Sequence, residues 1–486
     1  MYFKDLFNNI SGQQIQNNSD IDIKNLTIDS RKAGVDSLFA CISGFKADGH
    51  SFIQKAYDRG CRAFLCEKKV EGIPDDACVF LTDSTRRTLP QVAARFYGNP
   101  SEKFNLIGVT GTNGKTSTTY FMESVLKTLG RKTAVIGTVE IRIGEERLEL
   151  DLTTSTTPDV IDLNYIFSLM AQKGVDDVIM EVSSHGLELN RVDCVDFDYG
   201  IFTNLTQDHL DFHKTMDNYC RAKTKLFKMC KKGAVNGDDI WCDKIVREAT
   251  CSVTTFGMDK AADLRAENIE YLMDRVNFQV NINGKMVPFE LMVPGRFSVY
   301  NALGVIATAL SMGIAVEDIQ RGIKNIKGVP GRIQNIPNDK GINVIVDYAH
   351  TPDGVENILN AVREFTDNKI ITVFGCGGDR DKTKRPIMGE IAGRLSDYCV
   401  VTSDNPRSEE PEDILKDIQV GIDKATKNYE LVTDRREAIF KAVMLAEKGD
   451  SVVIAGKGHE DYEIFKDKTI HFDDTEVAKE ALEEKK

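Results

Sequence analysis

The 486-residue chain predicts an α/β protein of about three domains, and three observations carry that prediction. The chain is too long for one hydrophobic core. Apolar, β-rich runs alternate with helical periodicity through its middle and end, the pattern of parallel sheets covered by helices. Two stretches bearing Gly and Pro, FYGNPSEKF (96–104) and GVPGRI (328–333), punctuate it and place boundaries near residues 102 and 331.

The elements follow in order. Residues 1–102 mix short apolar runs (DSLFACI, CRAFLCE, CVFLT) with the helical stretch FIQKAYDRG, a small α/β unit. A strand–loop–helix comes next: KFNLIGVT is the strand, GTNGKT the loop, and STTYFMESVLKTLG a helix ending at Gly130. Further strands are expected at TAVIGTV, DDVIMEV and DYGIFTNL. Beyond residue 331, INVIVDYAH, KIITVFGCGGDR, YCVVTSDNPR and DSVVIAGKGHE repeat one grammar, an apolar strand ending abruptly in a polar, Gly-containing loop.

Composition narrows the function. The chain is 41% hydrophobic and 28% charged, and its formal charge of −13 argues against a general nucleic-acid or anionic-membrane binder. MYFKDLFNNI lacks the basic and apolar regions of a secretory signal, and the apolar stretch Asn301 to Val316 falls short of a membrane span. Eleven cysteines without a C-x-x-C pair read as reduced thiols, so a cytoplasmic location is expected.

The loop GVTGTNGKTSTT (108–119) carries the chemistry. It departs from G-x-x-x-x-G-K-[ST], because Val109 stands where the first Gly belongs. Even so, Lys115 and Thr116 follow Gly114 directly between a strand and a helix. Backbone N–H groups there can cradle phosphate, Lys115 can reach the outer phosphates, and the Thr116 hydroxyl can bind Mg²⁺. The bland alternative is a Gly-rich packing turn. Glu181 ends an apolar strand, where a second metal contact is useful. Asp208, His209, Asp211 and His213 crowd the segment TNLTQDHLDFH, although helix caps explain the two aspartates about as well. NYCRAKTKLF by itself reads as an amphipathic helix with exposed lysines. At the C-terminal strand ends, Arg380 and Arg407 either bind ligand carboxylates or pair with Asp379, Asp381 or Glu409. Asp404, Asn405 and Glu460 offer sites for an ammonium.

Together G-T-N-G-K-T, E-V-S-S-H-G-L, T-N-L-T-x-D-H-L-D-x-H and A-K-x-x-L-F resemble the Mur ligase family, ATP-dependent amino-acid-adding enzymes of peptidoglycan precursor synthesis, essentially end to end. The resemblance implies a UDP-sugar-binding domain (1–102), a central ATP-binding domain (103–331) and a Rossmann-like amino-acid-binding domain (332–486). It implies that Gly111, Thr112, Asn113, Gly114, Lys115, Thr116, Ser117, Asn301, Arg332 and Asp347 contact ATP. Thr116, Glu181, His209 and a carbamylated Lys223, formed with CO₂, would serve Mg²⁺, with Lys225 the alternative lysine. Catalysis would rest on Lys115, Lys223, His209 and Glu181.

Ser30, Thr156, Thr157, Ser183 and Arg191 match positions that hold the UDP-muramoyl-dipeptide. Arg380, Asp404, Asn405, Pro406, Arg407, Gly456 and Glu460 match those that hold the amino acid, and D-N-P-R is the motif of the diaminopimelate-adding members. Ser298 replaces an Asn common in relatives and carries no expected role. The implied reaction joins meso-diaminopimelate to UDP-N-acetylmuramoyl-L-alanyl-D-glutamate through an acyl phosphate, in a cytoplasmic monomer serving cell shape and division. L-lysine or another diamino acid, a folylpolyglutamate-synthetase-like reaction, and a nucleotide-binding switch or scaffold remain the alternatives.

Overall fold

The computed structural model describes the whole chain except residues 18–19, 45–46, 70–72, 153, 155, 273, 327, 367 and 486. The chain divides into two compact units, Met1–Thr255 and Phe256–Lys486.

In the first unit, the described residues near the N-terminus form a five-stranded sheet. Its strands Asn25–Thr27, Ser37–Ala40, Ala63–Cys66 and Cys78–Leu81 run parallel, and Gln13–Gln16 adds antiparallel at the edge. The segment 96–104 is not plain linker: Asn99 adopts a left-handed conformation and Pro100–Lys103 forms a 3₁₀ turn that buries Pro100 and Ser101. A second sheet has a parallel centre, ordered Cys230–Asn236, Phe197–Phe202, Asn105–Thr110, Asp177–Glu181 and Thr133–Ile136. The three inner strands Asn105–Thr110, Asp177–Glu181 and Thr133–Ile136 are buried on both faces, which is why they read as nearly unbroken apolar runs. Val109 lies inside the central strand, paired with Glu181 and Ile201. The strict loop pattern fails there because the chain is still strand, and the loop proper begins at Gly111.

In the second unit, Leu264–Tyr271, Val276–Ile282 and Lys285–Leu291 form an antiparallel meander. The apolar segment from Asn301 is helical only to Ser311, within the helix Arg296–Ser311, and no described helix is long and apolar enough to cross a membrane. The four strands expected beyond residue 331 form at Asn343–Asp347, Ile370–Phe374, Tyr398–Val401 and Ser451–Ala455. They run parallel, with Ser451–Ala455 seated between Asn343–Asp347 and Ile370–Phe374. Parallel order brings the loops that follow them to one edge, the crevice where open α/β sheets bind ligands.

Candidate active site

The loop between Thr110 and Lys115 is tightly constrained by its glycines and by the segment after Phe202. A Cβ on Gly111 would lie 1.9 Å from the Thr203 hydroxyl, and Gly114 takes φ 83° as it enters the helix Lys115–Thr128. Both positions therefore demand glycine. The segment after Phe202 laces the loop in place. Thr203 Oγ1 donates to Asn113 O (2.6 Å), Asn113 N donates to Asn204 Oδ1 (2.9 Å), and Thr112 N donates to Asn204 O (2.9 Å). Lys115 folds its ammonium over the loop, onto Gly111 O (3.0 Å) and Thr112 O (2.9 Å).

Glu181 ends the neighbouring parallel strand and is buried beside the first helical turn. Its carboxylate accepts from Thr116 Oγ1 (2.8 Å), Thr138 N (3.0 Å) and Thr138 Oγ1 (3.0 Å). Thr116 and Glu181 thus form a pair of hard oxygen donors, a set that suits Mg²⁺. The same strand end organises the expected UDP-substrate residues. Thr138 Oγ1 lies 2.9 Å from Thr156 Oγ1, Thr157 Oγ1 donates to Glu181 O (3.0 Å), and Ser183 N donates to Thr157 Oγ1 (2.9 Å). Arg191 Nη1 donates to Thr157 O (3.1 Å), and burial lowers its pKa. Ser183 also caps the helix Ser184–Glu188. Ser30 lies apart from this network, half-buried in the turn after Asn25–Thr27.

The two candidate lysines separate cleanly. Lys225 is partly exposed and pairs with Glu188 (2.7 Å). Lys223 is 1% exposed, and its Nζ donates to Gly111 O (2.8 Å). The helical periodicity of NYCRAKTKLF suggests exposed lysines, but the helix Met216–Thr224 turns this one into the phosphate loop. Burial drives the Lys223 pKa well below the ordinary lysine value, and the Lys115 charge lowers it further. Tyr219 lies under the amine, 4.6 Å from ring centre to Nζ, and its hydroxyl is 3.2 Å from Thr112 Oγ1.

His209 is exposed, lies 3.3 Å from Asp208, and packs edge-on to His185 at 4.9 Å. His213 is buried, stacked on Tyr219 and 2.9 Å from Ser184 Oγ; desolvation holds its pKa at about 4. Thr156, His209 and Arg407 all adopt left-handed backbone conformations. Such strain concentrates where function over-determines geometry, and it is least comfortable for the β-branched Thr156.

At the sheet edge of the second unit, three loops meet. Gly378 N donates to Asn405 O (2.9 Å), and Asn405 Nδ2 donates to Glu460 Oε2 (2.9 Å). A Cβ on Gly456 would lie 2.7 Å from Asp404 Oδ2. Arg407 Nη1 donates to the carbonyls of Gly378 (2.9 Å) and Asn405 (3.3 Å), and Arg380 is exposed. Among the described residues neither arginine makes an ion pair. Asp379 instead accepts from Ser408, Asp381 from Thr383, and Glu409 from Arg385 and Lys382. Pro406 is buried. Near this edge, Asp347 Oδ2 accepts from Ile333 N (2.8 Å), burial raises the Asp347 pKa, and the Arg332 guanidinium lies 5.1 Å from the Tyr348 ring centre. Asn301 is buried on the helix Arg296–Ser311, as is Ser298, whose hydroxyl donates to Pro294 O (2.8 Å).

Three family models match the chain: "Mur ligase family, catalytic domain" over residues 22–97, "Mur ligase middle domain" over 109–309, and "Mur ligase, glutamate ligase domain" over 331–458. A UDP-N-acetylmuramoyl-L-alanyl-D-glutamate–2,6-diaminopimelate ligase of Clostridium acetobutylicum is 46% identical over 486 residues, all of both chains. The chain belongs to the Mur ligase family. The Clostridioides difficile enzyme of the same name is also 46% identical, over 99% of each chain. A solved structure of a ligase of that name superposes with a TM-score of 0.73 at 28% identity, over 99% of each chain. A Mycobacterium tuberculosis folylpolyglutamate synthase shares the fold at a TM-score of 0.61 and 17% identity, over 76% of this chain and 92% of that one.

Several residues of this Mur ligase fold join the site without having been singled out in the sequence. Thr138, Thr203, Asn204 and Tyr219 are polar residues at strand ends or on a short helix. Only the position of T-N-L-T directly after an apolar strand hinted at the bracing role of Thr203 and Asn204. A second polar cluster, Cys41, His50 and Cys66, is buried in the N-terminal sheet. There His50 already uses both ring nitrogens, with Nδ1 2.6 Å from Asp48 and Nε2 accepting from Glu67 N (2.9 Å). That geometry describes a satisfied core histidine.

Proposed function

We propose that the protein is an ATP-dependent amide ligase that adds meso-diaminopimelate to the D-glutamate of UDP-N-acetylmuramoyl-L-alanyl-D-glutamate. The observation that carries this reading is the pair Arg380 and Arg407. Asp379, Asp381 and Glu409 bond to other groups, and among the described residues neither guanidinium has an ion-pair partner at the sheet edge. A second carboxylate on the amino acid answers that arrangement, and diaminopimelate has one where lysine has none. The names of the full-length relatives support the same choice.

The chemistry follows from the phosphate loop. A free carboxylate forms an amide only after gaining a leaving group, and transfer of the ATP γ-phosphate supplies one as an acyl phosphate. Lys115 and the loop N–H groups neutralise and align the phosphates. Thr116 and Glu181, with His209, are the residues proposed to hold Mg²⁺, which when bound offsets the repulsion between carboxylate and phosphate. Lys223 is proposed to carry a carbamate. Reaction with CO₂ requires an unprotonated amine, and burial beside Lys115 favours that form. Carbamylation would convert that neutral amine, with release of a proton, into an anion beside the Lys115 ammonium.

Thr156, Thr157, Ser183, Arg191 and Ser30 are proposed for the UDP-dipeptide, and Asn301, Arg332 and Asp347 for ATP. The three-domain division at residues 102 and 331, a cytoplasmic monomer, and a role in cell shape and division complete the reading. Phosphate release measured with the UDP-dipeptide and a panel of diamino acids tests it. Release that depends on diaminopimelate is expected; lysine outperforming diaminopimelate would sink the assignment, and release independent of any amine would favour a nucleotide switch.

A further inference from the structure

The loop Gly456–Glu460 contains a lysine that is not itself among the expected ligand-binding residues. Lys457 is fully buried, an environment that disfavours an ammonium unless its donors are used. Its Nζ donates to Tyr462 O (2.6 Å) and to Asn405 Oδ1 (3.1 Å), and lies 3.9 Å from Glu460 Oε2. Asn405 is itself 2% exposed, and its Oδ1 accepts a second bond from Ile464 N (2.9 Å). These two donors decide which way the amide points. Turned over, the NH₂ group would face an ammonium and a backbone N–H, two donors against donors. In the orientation they impose, Nδ2 points at Glu460 Oε2 (2.9 Å), while Tyr348 OH stands 3.5 Å from Glu460 Oε1. Lys457 therefore acts on the Glu460 carboxylate in two ways, as a direct ion pair at 3.9 Å and through a relay of one amide that fixes its direction.

We propose that Lys457 is a positioning residue for amino-acid specificity, orienting Asn405 so that it holds Glu460 toward the distal ammonium of the incoming amino acid. The inference rests on the functional reading above. It adds a residue that touches no substrate and a defined part of the ligand that it governs. A buried cation that merely filled space would affect all amino acids alike. One that aims Glu460 affects only those with a distal ammonium.

The test compares diaminopimelate with 2-aminopimelate, which keeps both carboxylates but lacks the second ammonium. In Lys457→Met the preference for diaminopimelate, as a ratio of kcat/KM values, should fall roughly tenfold, the loss expected for one misaimed charge-assisted hydrogen bond. Most of the fall should appear in KM for diaminopimelate, with kcat and the KM for ATP nearly unchanged. Lys457→Arg, which keeps a donor near Asn405, should retain most of the preference. If Lys457→Met does not fold, Asn405→Leu breaks the same relay from the other side and should lower the same ratio. An unchanged ratio in the folded variant, or equal losses for both amino acids, overturns the proposal while leaving the ligase reading intact. Failure of the unaltered enzyme to use diaminopimelate overturns both.

Discussion

Replacing Lys223 separates stability from chemistry at one atom. In Lys223→Met the side chain keeps nearly its length but loses the amine. The lost contact is one hydrogen bond, to Gly111 O at 2.8 Å, worth about 1 kcal/mol net. That carbonyl is not orphaned, because Lys115 Nζ also donates to it at 3.0 Å. Against the loss stands relief from burying an amine whose charged form is strongly disfavoured. The two effects nearly cancel, so stability should change by less than about 1 kcal/mol and the melting temperature by no more than about 4 °C. Activity should respond very differently. Without the amine there is no carbamate, and removing a preorganised charge from a phosphoryl-transfer site costs on the order of 10²–10³-fold in kcat. Amine-dependent phosphate release beside a thermal melt reads both quantities. Lys223→Ala, which leaves space, should lose turnover similarly and regain part of it with added bicarbonate or short carboxylates. A folded Lys223→Met or Lys223→Ala enzyme of full activity would refute the carbamate role.

Other expectations rest on different atoms. Glu181→Gln keeps the volume but presents an NH₂ group to donors from Thr116 and Thr138; about 1–3 kcal/mol of stability should be lost, and turnover should fall and need more Mg²⁺, whereas an unchanged Mg²⁺ dependence would remove Glu181 from the metal site. His213 gives an acid limb. Its folded pKa of about 4 lies below the ordinary 6.5, so the unfolded chain takes up the proton first as pH falls. Its contribution is complete above pH 6.5 and is lost on the way down to pH 4, by up to about 3 kcal/mol. Denaturant titrations across that window should show the loss in the parent and a flatter profile in His213→Gln, and identical profiles would contradict it. Arg407→Lys replaces the guanidinium whose Nη1 donates to both Gly378 O and Asn405 O and should raise KM for diaminopimelate more than KM for ATP; equal changes would point to general loosening of the edge.

The sequence exposes most of what is local and little of what depends on a second segment. The strand, loop and helix around residue 110 are legible because apolar periodicity, glycine and the Lys-Thr pair coincide within fifteen residues. The parallel strands beyond residue 331 are legible for the same reason: each is an apolar run cut off by a polar loop. What periodicity misjudges is Lys223. A lysine in a polar helix looks exposed, and only the approach of the Gly111 carbonyl, 112 residues earlier in the chain, shows that it is buried. Glu181 could be placed at a strand end, but not the three threonine-derived donors around it, because Thr138 and Thr116 come from different elements. Lys457 is the extreme case. Its neighbours Gly456 and Glu460 stand out beside the strand end, yet its own function depends on Asn405, 52 residues away, and on which face of a side-chain amide is turned. Motifs therefore single out the groups expected to touch substrates, whereas the residues that hold those groups in place emerge only from the hydrogen bonds of the folded chain. For this ligase those bonds change an expectation. On the reading proposed above, the D-N-P-R loop does not select the amino acid by itself, because its asparagine is set by a buried lysine that follows the strand Ser451–Ala455, two strands away in the sheet, and selectivity should follow that lysine as closely as it follows the arginines.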